Sequence, residues 1–367
     1  MSFTENGQSS MPAADNQPVQ PVVGVVVVTF AAEKFIANCL ESLALSAYPA
    51  LKVVVVDNGS PDDTIGAVTD WASGTRPFQT CTGWAFPDGV VSPKPIALDR
   101  RGPDGADSPA TAAFTLIETG ENLGFAGGVN VGLRALIAAG DVNYFWVLNP
   151  DTVLEPETLR AFVEKAQDVG RFSVIGGRVV YQEDPELVQS DGGRIHKLGC
   201  TAISVNMRRS TETPMPAAES LDFVTGASMF ASRAFLERAG LMDEGWFLYY
   251  EEIDWQLRRG DLPLVLAPRA VVRHHAGASI GSGSGRAVAS PFAVYFTYRN
   301  LLRFAARWFP LRLPFAYLIV YYKMARHFRG APAQLLAAFC GIHGMGPPKS
   351  IRNRLSEADW ARIGAKR

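Results

Sequence analysis

The sequence predicts an α/β protein built on a mainly parallel central sheet flanked by helices, with a helical extension at the C-terminal end. Two observations carry this: β-branched runs alternate with stretches of helical periodicity, and each run stops at a polar turn. Val22 to Thr29 reads Val-Val-Gly-Val-Val-Val-Val-Thr, the pattern of a strand buried on both faces, as in a parallel sheet. Ala32 to Leu45 places Phe35, Ile36, Cys39, Leu40 and Leu43 at helical spacing, and Lys52 to Val56 repeats the buried-strand signal before Asp57-Asn-Gly-Ser-Pro-Asp-Asp-Thr64. Strand, helix, strand in this order marks a doubly wound sheet, in which ligands bind beyond the carboxyl ends of the strands. Asp57 is therefore placed to touch a ligand.

Residues 74 to 112 break the rhythm with Pro, Gly and Asp and no periodicity, which predicts an inserted loop of low order. Ala113 to Glu118 is a further strand. It runs into Gly120-Glu-Asn-Leu-Gly-Phe-Ala-Gly-Gly-Val-Asn-Val-Gly132 and a helix to Ala139. Glycines at 124, 127 and 128 let a backbone approach a ligand, and the helix N-terminus beyond them favours an anion such as a diphosphate; equally, they suit a tight strand-to-helix turn. Tyr144 to Leu148 is a fourth buried strand, ending in Asn149-Pro-Asp-Thr152. There Asp151 suits either the cap of a helix opened by Glu155-Pro-Glu157 or a hard oxygen ligand for Mg²⁺ or Mn²⁺.

Farther on, Phe223 to Phe230 reads as a strand, Ser232 to Ala239 as a short capped helix, and Val271 onward as a strand that ends at His274 and His275. Between them lies Gly245-Trp-Phe-Leu-Tyr-Tyr-Glu-Glu-Ile-Asp-Trp-Gln-Leu-Arg-Arg259, an aromatic run ending in Glu251, Glu252 and Asp254. Acids in a first helical turn are favoured by the helix dipole, and Asp254 to Arg258 is an i, i+4 ion pair.

At 367 residues and 47% hydrophobic content, the chain has room for one large α/β domain plus an extension, or for two domains, and is neither fibrous nor disordered. Cys39, Cys81, Cys200 and Cys340 lie far apart, a spacing that suggests neither a disulfide framework nor a structural zinc site and fits a reducing cytoplasm. Residues 1–20 are polar, without the basic start and apolar core of a secretion signal, and read as a disordered tail. Residues 21–285 then form the α/β domain and 286–367 the extension.

With these pieces in order, residues 21 to 305 resemble the inverting glycosyltransferases of family 2. The matching residues are Val26-Val-Val-Thr29, Val55-Val-Asp-Asn-Gly-Ser60, Asn122-Leu-Gly-Phe-Ala-Gly-Gly128, Leu148-Asn-Pro-Asp151, Gly226-Ala-Ser-Met229 and Tyr250-Glu-Glu-Ile-Asp254. The resemblance implies a GT-A fold, a Rossmann-like mixed sheet, and is nearest to rhamnosyltransferase-like members that use a dTDP-sugar. It implies that Thr29 and Asp57 hold the nucleobase and ribose, with Asp57 accepting a hydrogen bond from the pyrimidine N3–H. Asn122, Gly124, Gly128 and Asn149 would line the nucleotide-sugar crevice. Asp151 takes the second acidic position of the family's metal motif, with Asn149 at the first, and His274 matches the His-x-x-Gly-x-Ser motif whose His contacts metal or diphosphate. Gly226, Ala227, Trp246 and Glu251 would face the acceptor. The family's general base is the second acid of a Glu-Asp pair, which here is Glu252. Ala31 stands where the family usually has Asn.

The acceptor implied is a saccharide on a polyprenyl diphosphate, in bacterial surface polysaccharide synthesis. Other readings are a transferase using a UDP- or GDP-sugar, a nucleotidyltransferase, and a non-catalytic saccharide-binding subunit that kept the fold. The nucleotidyltransferase reading lacks its Gly-rich basic loop at Phe30-Ala-Ala-Glu-Lys34.

The net charge of −1 is unevenly spread, because residues 286 to 367 carry fourteen Lys and Arg against only Glu357 and Asp359. Tyr295 to Phe309 alternates aromatic and basic residues at helical spacing. Leu313 to Tyr322 is apolar but far shorter than the roughly 20 residues that span a bilayer. Such helices lie in a membrane interface, here the inner face of the cytoplasmic membrane, or else pack on the catalytic domain or across a homodimer. Nucleic acid is not expected as a partner, since no recognition module accompanies the charge.

Overall fold

The computed structural model describes residues 20–46, 48–275 and 289–364. The expected tail at 1–20, save Gln20, lies outside them, as does Gly281-Ser-Gly-Ser-Gly285, whose sequence predicts a flexible link.

The β-branched runs form the centre of the sheet. Strands β1 (Val22–Thr29) and β2 (Leu51–Asp57) pair in parallel around the helix α1 (Ile36–Ala44), with Thr29 directly opposite Asp57. Helix α2 (Thr64–Ser73) follows, then β3 (Leu98–Arg101), β4 (Phe114–Glu118), α3 (Gly124–Ala139), β5 (Val142–Leu148), β6 (Thr152–Leu154) and α4 (Thr158–Val169). Next come β7 (Val174–Tyr181), the short β8 (Val188–Ser190), β9 (Gly193–Ile195) and β10 (Ala202–Ser204), then β11 (Ser228–Ser232), α5 (Arg233–Ala239), α6 (Glu251–Leu257) and β12 (Val265–His274). The C-terminal part is helical: α7 (Pro291–Trp308), α8 (Leu313–His327), α9 (Pro332–Ile342), α10 (Lys349–Arg352) and α11 (Glu357–Arg362).

The described strands of the main sheet run β3-β4-β2-β1-β5-β11-β7-β12-β6, with β8 on β7 and β9–β10 as a separate hairpin. From β3 to β5 every pairing is parallel, and β11 inserts antiparallel beside β5. Parallel strands covered on both faces need unbroken apolar runs, which explains why β1 and β2 read as they do. One face packs on α1, α2 and α4 through Ile36, Trp71 and Phe162; the other packs on α3 and α5 through Leu133, Leu136 and Phe235. A third core joins α7–α11 to the aromatic run at 246–250.

Two expectations change. The insertion at 74–112 contains β3, an edge strand parallel to β4, and it is tied down by buried Glu41, which accepts from the Ser92 amide (2.5 Å), Trp71 Nε1 (2.6 Å) and Lys94 Nζ (2.9 Å). Its Leu-Asp-Arg-Arg sequence hid it, because an edge strand tolerates charge that a central strand excludes. Asp151 is not a helix cap, since α4 begins seven residues later and β6 intervenes.

Candidate active site

A cavity of about 430 Å³ opens beyond the carboxyl ends of β1, β2 and β5, where the chain order of the sheet reverses. Its walls include Val28, Asn58, Asn122, Gly124, Asn149 and Phe247. Asp57 and Thr29 are buried side by side at the ends of β2 and β1; neither lines the cavity, whose wall holds their chain neighbours Asn58 and Val28. The Asp57 carboxylate is fixed: Oδ1 accepts from Thr29 Oγ1 (3.0 Å) and Ser60 Oγ (2.5 Å), and Oδ2 from the Ser60 amide (3.0 Å). Each oxygen of a carboxylate has two lone pairs, so Oδ2 keeps room for one more donor.

The glycine run forms the first turn of α3 rather than a loop before it. Asn122 Oδ1 accepts from the Gly124 amide (2.9 Å), and Asn58 Nδ2 donates to the Gly124 carbonyl (2.8 Å). Gly124 has φ +72°, and a Cβ there would meet the Phe247 carbonyl at 2.5 Å; only glycine fits. Gly128, expected on the crevice, sits one turn into α3, where a Cβ would lie 2.6 Å from Val28 Cγ1. Its smallness seats the helix on β1.

On the other side, Asp151 and His274 meet at the ends of β5 and β12. His274 Nδ1 hydrogen-bonds with Gln189 Oε1 at 2.5 Å. Its Nε2 lies 3.2 Å from Asp151 Oδ1 and 3.3 Å from Asn149 Nδ2. Asp151 is buried, and its Oδ1 accepts no hydrogen bond. With Nε2 unprotonated, the two atoms could hold a cation between them. A carboxylate oxygen and an imidazole nitrogen, the latter oriented by a second hydrogen bond, suit a divalent ion. Among the described residues no cluster of three or more His, Cys, Asp or Glu could hold a metal; an ion on Asp151 and His274 would draw its other ligands from substrate and water.

The acidic stretch begins α6 as its spacing predicts. Asp254 is fully buried; it pairs with Arg258 (3.3 Å) and Arg307 (3.2 Å) and accepts from Trp308 Nε1 (2.9 Å), so it is structural. Glu251 is buried behind Glu252. The half-buried Glu252 points into a second cavity, of about 290 Å³, lined also by Thr201, Tyr249, Thr297, Leu301 and Lys323. Enclosure by protein raises the Glu252 carboxyl above its ordinary value, against the pull of nearby backbone amides; burial, then the neighbouring Glu252 charge, raise Glu251 farther. Gly226 keeps the approach open, since a Cβ there would lie 3.2 Å from Glu252 Cγ. Ala227 is buried, its carbonyl accepting from the Asn149 amide (3.0 Å). Trp246, expected on the acceptor side, is wholly buried with Arg303 over its ring at 4.6 Å, which makes it a support.

The two cavities share one wall, the strap 247–250. Phe247 and Leu248 face the first, Tyr249 and Tyr250 the second. Three of these four residues, Phe247, Tyr249 and Tyr250, have φ between +65° and +72°, a conformation that costs about 1–3 kcal/mol each for bulky side chains and persists only where surroundings over-determine it. The surroundings are supplied by α7. The Asn300 amide, fully buried, donates to the carbonyls of Trp246 (2.9 Å), Leu248 (2.7 Å) and Tyr249 (3.1 Å), and Arg303 donates to the Gly245 carbonyl (2.5 Å). The C-terminal segment is thus part of the site and not an appendage to it. It also brings Phe292 and Arg354 to the first cavity, with Arg354 5.6 Å over the Phe292 ring. Sequence reasoning passed over Asn300, Lys323 and Arg354, because each meets its site across 50 residues or more of chain.

The sequence model described as glycosyl transferase family 2 matches residues 24–81 and 96–238, more than half of the chain. The chain belongs to this family. As a family 2 glycosyltransferase it carries the expected GT-A fold, the mixed sheet described above. The matched part ends at residue 238, before α6, β12 and the C-terminal helices. This glycosyltransferase is 26% identical over 286 residues to the N-acetylglucosaminyl-diphospho-decaprenol L-rhamnosyltransferase of Mycobacterium tuberculosis, covering 71% of this chain and 78% of the relative. It is 27% identical over 142 residues to the low-salt glycan biosynthesis hexosyltransferase Agl10 of Haloferax volcanii, covering 39% of this chain and less than half, 45%, of that relative. Among solved structures it aligns with S. aureus TarS 1-349 in complex with UDP-GlcNAc (14% identity, TM-score 0.48, 94% of this chain and 89% of the other). It also aligns with the mannosyltransferase PcManGT of Pyrobaculum calidifontis in complex with GDP-Man and Mn²⁺ (16%, TM-score 0.47, 95% and 86%).

Proposed function

We propose that this glycosyltransferase moves L-rhamnose from dTDP-L-rhamnose onto a hydroxyl of a saccharide carried on a polyprenyl diphosphate, with inversion at the anomeric carbon. The observation that carries the reading is the division of labour across the strap. A cavity at the strand ends, next to the residue pair that orients the Asp57 carboxylate, lies on one side. An enclosed carboxyl with no hydrogen bond to its Oε2 lies on the other.

In this mechanism the nucleobase sits over Asp57, whose Oδ2 accepts from the pyrimidine N3–H, with Thr29 and Ser60 holding the carboxylate in place. Asn122, Gly124 and Asn149 face the diphosphate and sugar, and Arg354 lends positive charge from the C-terminal side. Mg²⁺ or Mn²⁺, held by Asp151 and His274, would supply the charge that stabilises a departing diphosphate. Glu252 takes the proton from the acceptor hydroxyl as its oxygen bonds to the anomeric carbon and the bond to the diphosphate oxygen breaks. One displacement of this kind inverts the centre. A raised carboxyl suits the task, because a base works best when its pKa approaches the working pH.

The lipid-linked acceptor is supported by α8 and α9. Among the described residues no helix is long and apolar enough to cross a membrane. Leu311, Phe315, Leu318, Tyr322, Leu336 and Phe339 are nevertheless exposed there, beside Arg312, Arg326 and Arg329, the composition of an interfacial surface. On this reading the enzyme works at the inner face of the cytoplasmic membrane.

A panel of dTDP-, UDP- and GDP-sugars with Mg²⁺ or Mn²⁺ tests the donor. Thermal stabilisation and turnover with dTDP-rhamnose are expected; stabilisation by UDP- or GDP-sugars alone would replace the donor, and activity unchanged by chelator would remove the metal.

A further inference from the structure

The Glu252 cavity holds a cation whose use no reaction step above explains. Lys323 of α8 lines it, and among the described residues no carboxylate lies within ion-pair distance of its Nζ. Among the described residues Glu252 is the sole acid in the same wall, and no ion pair joins it to Lys323. Two further polar atoms of the wall lack partners: the Tyr249 hydroxyl and Glu252 Oε2, each shielded from solvent. A cavity with an unpaired cation, an unpaired hydroxyl and a carboxyl with one unpaired oxygen is built for a polar guest, because leaving such groups unsatisfied is costly.

The position of Lys323 says more. On α8, Ala316, Val320 and Lys323 follow one another at helical spacing, the first two fully buried, with Val320 also in the cavity wall. Phe315, Leu318 and Tyr322 face outward, between 48% and 68% exposed. The helix therefore separates an apolar outer surface from the cavity, and Lys323 is the charged group on its inner side. Enclosure lowers the Lys323 pKa from its ordinary value, as expected of an ammonium waiting for an anion.

We infer that the Glu252 cavity is the acceptor's phosphate site, with Lys323 binding the diphosphate of a lipid-linked acceptor and the Tyr249 hydroxyl donating to it. This rests on the transferase reading above and adds to it the residue that reads the acceptor's anion. The lipid leaves along the outer face of α8 while the saccharide reaches Glu252. A point charge on a flexible stem suits a diphosphate that must enter and leave with each turnover.

The test is direct binding of farnesyl diphosphate, farnesol and dTDP to the full chain, for wild type, Lys323→Ala and Lys323→Arg, with the thermal midpoint of each variant as a check on folding. Farnesyl diphosphate should bind wild type and bind Lys323→Ala about tenfold or more weakly, as expected for loss of a charged hydrogen bond. Lys323→Arg should recover most of the affinity. Farnesol should bind wild type far less well, and dTDP should bind all three alike. Equal affinity of wild type and Lys323→Ala for farnesyl diphosphate overturns the inference, as does farnesol binding as tightly as the diphosphate. Loss of dTDP affinity in parallel with farnesyl diphosphate would assign Lys323 to general folding and overturn it too. Failure of dTDP to bind wild type would instead strike the transferase reading itself.

Discussion

Replacing Asn300 with Leu should loosen the strap that divides the two cavities. The side chain keeps its shape but loses both N–H donors. The Trp246 carbonyl retains the Leu248 amide at 2.8 Å, whereas Asn300 is the donor that serves the Leu248 and Tyr249 carbonyls. A buried acceptor left unsatisfied costs about 1–3 kcal/mol; two such groups, with some relaxation of the strap, give about 2–4 kcal/mol. The left-handed residues Phe247, Tyr249 and Tyr250 add an incentive to move once the carbonyls are freed. At roughly 2.1 cal/mol/K of unfolding entropy per residue over 367 residues, that loss lowers the thermal midpoint by about 3–5 °C. Near-ultraviolet circular dichroism follows the melt, and single-turnover transfer follows function. Because the strap walls both cavities, kcat should fall at least about tenfold. Asn300→Asp, the same shape without donors, should do no better than Leu. A midpoint within 1 °C of wild type together with unchanged kcat would refute the reasoning.

Two further predictions concern stability. Ala31 holds φ +54° with its amide donating to Ser60 Oγ at 3.2 Å; a left-handed Ala costs about 1–2 kcal/mol, partly offset by the freedom glycine has when unfolded. Ala31→Gly should therefore stabilise by about 0.5–1 kcal/mol in urea titration, and a destabilised variant would contradict the strain. Glu251 is held above the ordinary 4.5 by burial and then by Glu252. A carboxyl raised in the fold binds its proton more tightly there than in the unfolded chain. Its contribution to stability is therefore present below 4.5 and lost as pH rises through the raised value. Glu251→Gln should stabilise the protein near neutral pH and flatten that loss; an unchanged slope of stability against pH would dismiss the assignment.

The centre of the sheet was legible because burial on both faces forces a composition that survives in one dimension: β1, β2, β4 and β5 announce themselves through Val, Ile, Phe and Leu. The three-residue strands β8, β9 and β10 are too short for any period to register, and β3 is disguised by Arg100 and Arg101 at an exposed edge. The positions of Asp57, Asp151 and His274 at or just beyond strand ends were legible for the same reason, since each follows an apolar run. The role of the C-terminal segment was legible only as charge. Of the expected alternatives, a membrane interface or packing on the catalytic domain, part of the charge takes the second: Arg303 and Arg307 reach Asp243 at 3.3 and 2.8 Å, and Arg303 also donates to the strap. Contacts of this kind join positions more than 50 residues apart, which no local pattern can encode.

The most direct measurement is sugar transfer by Glu252→Gln, with nucleoside diphosphate release and the anomeric configuration of the product read together. The amide keeps the shape but cannot accept the acceptor's proton. The account predicts an inverted product from wild type, a fall in kcat of about a hundredfold or more in the variant, and unchanged affinity for the nucleotide. Near-normal turnover by Glu252→Gln, or retention of configuration in the wild-type product, would contradict it.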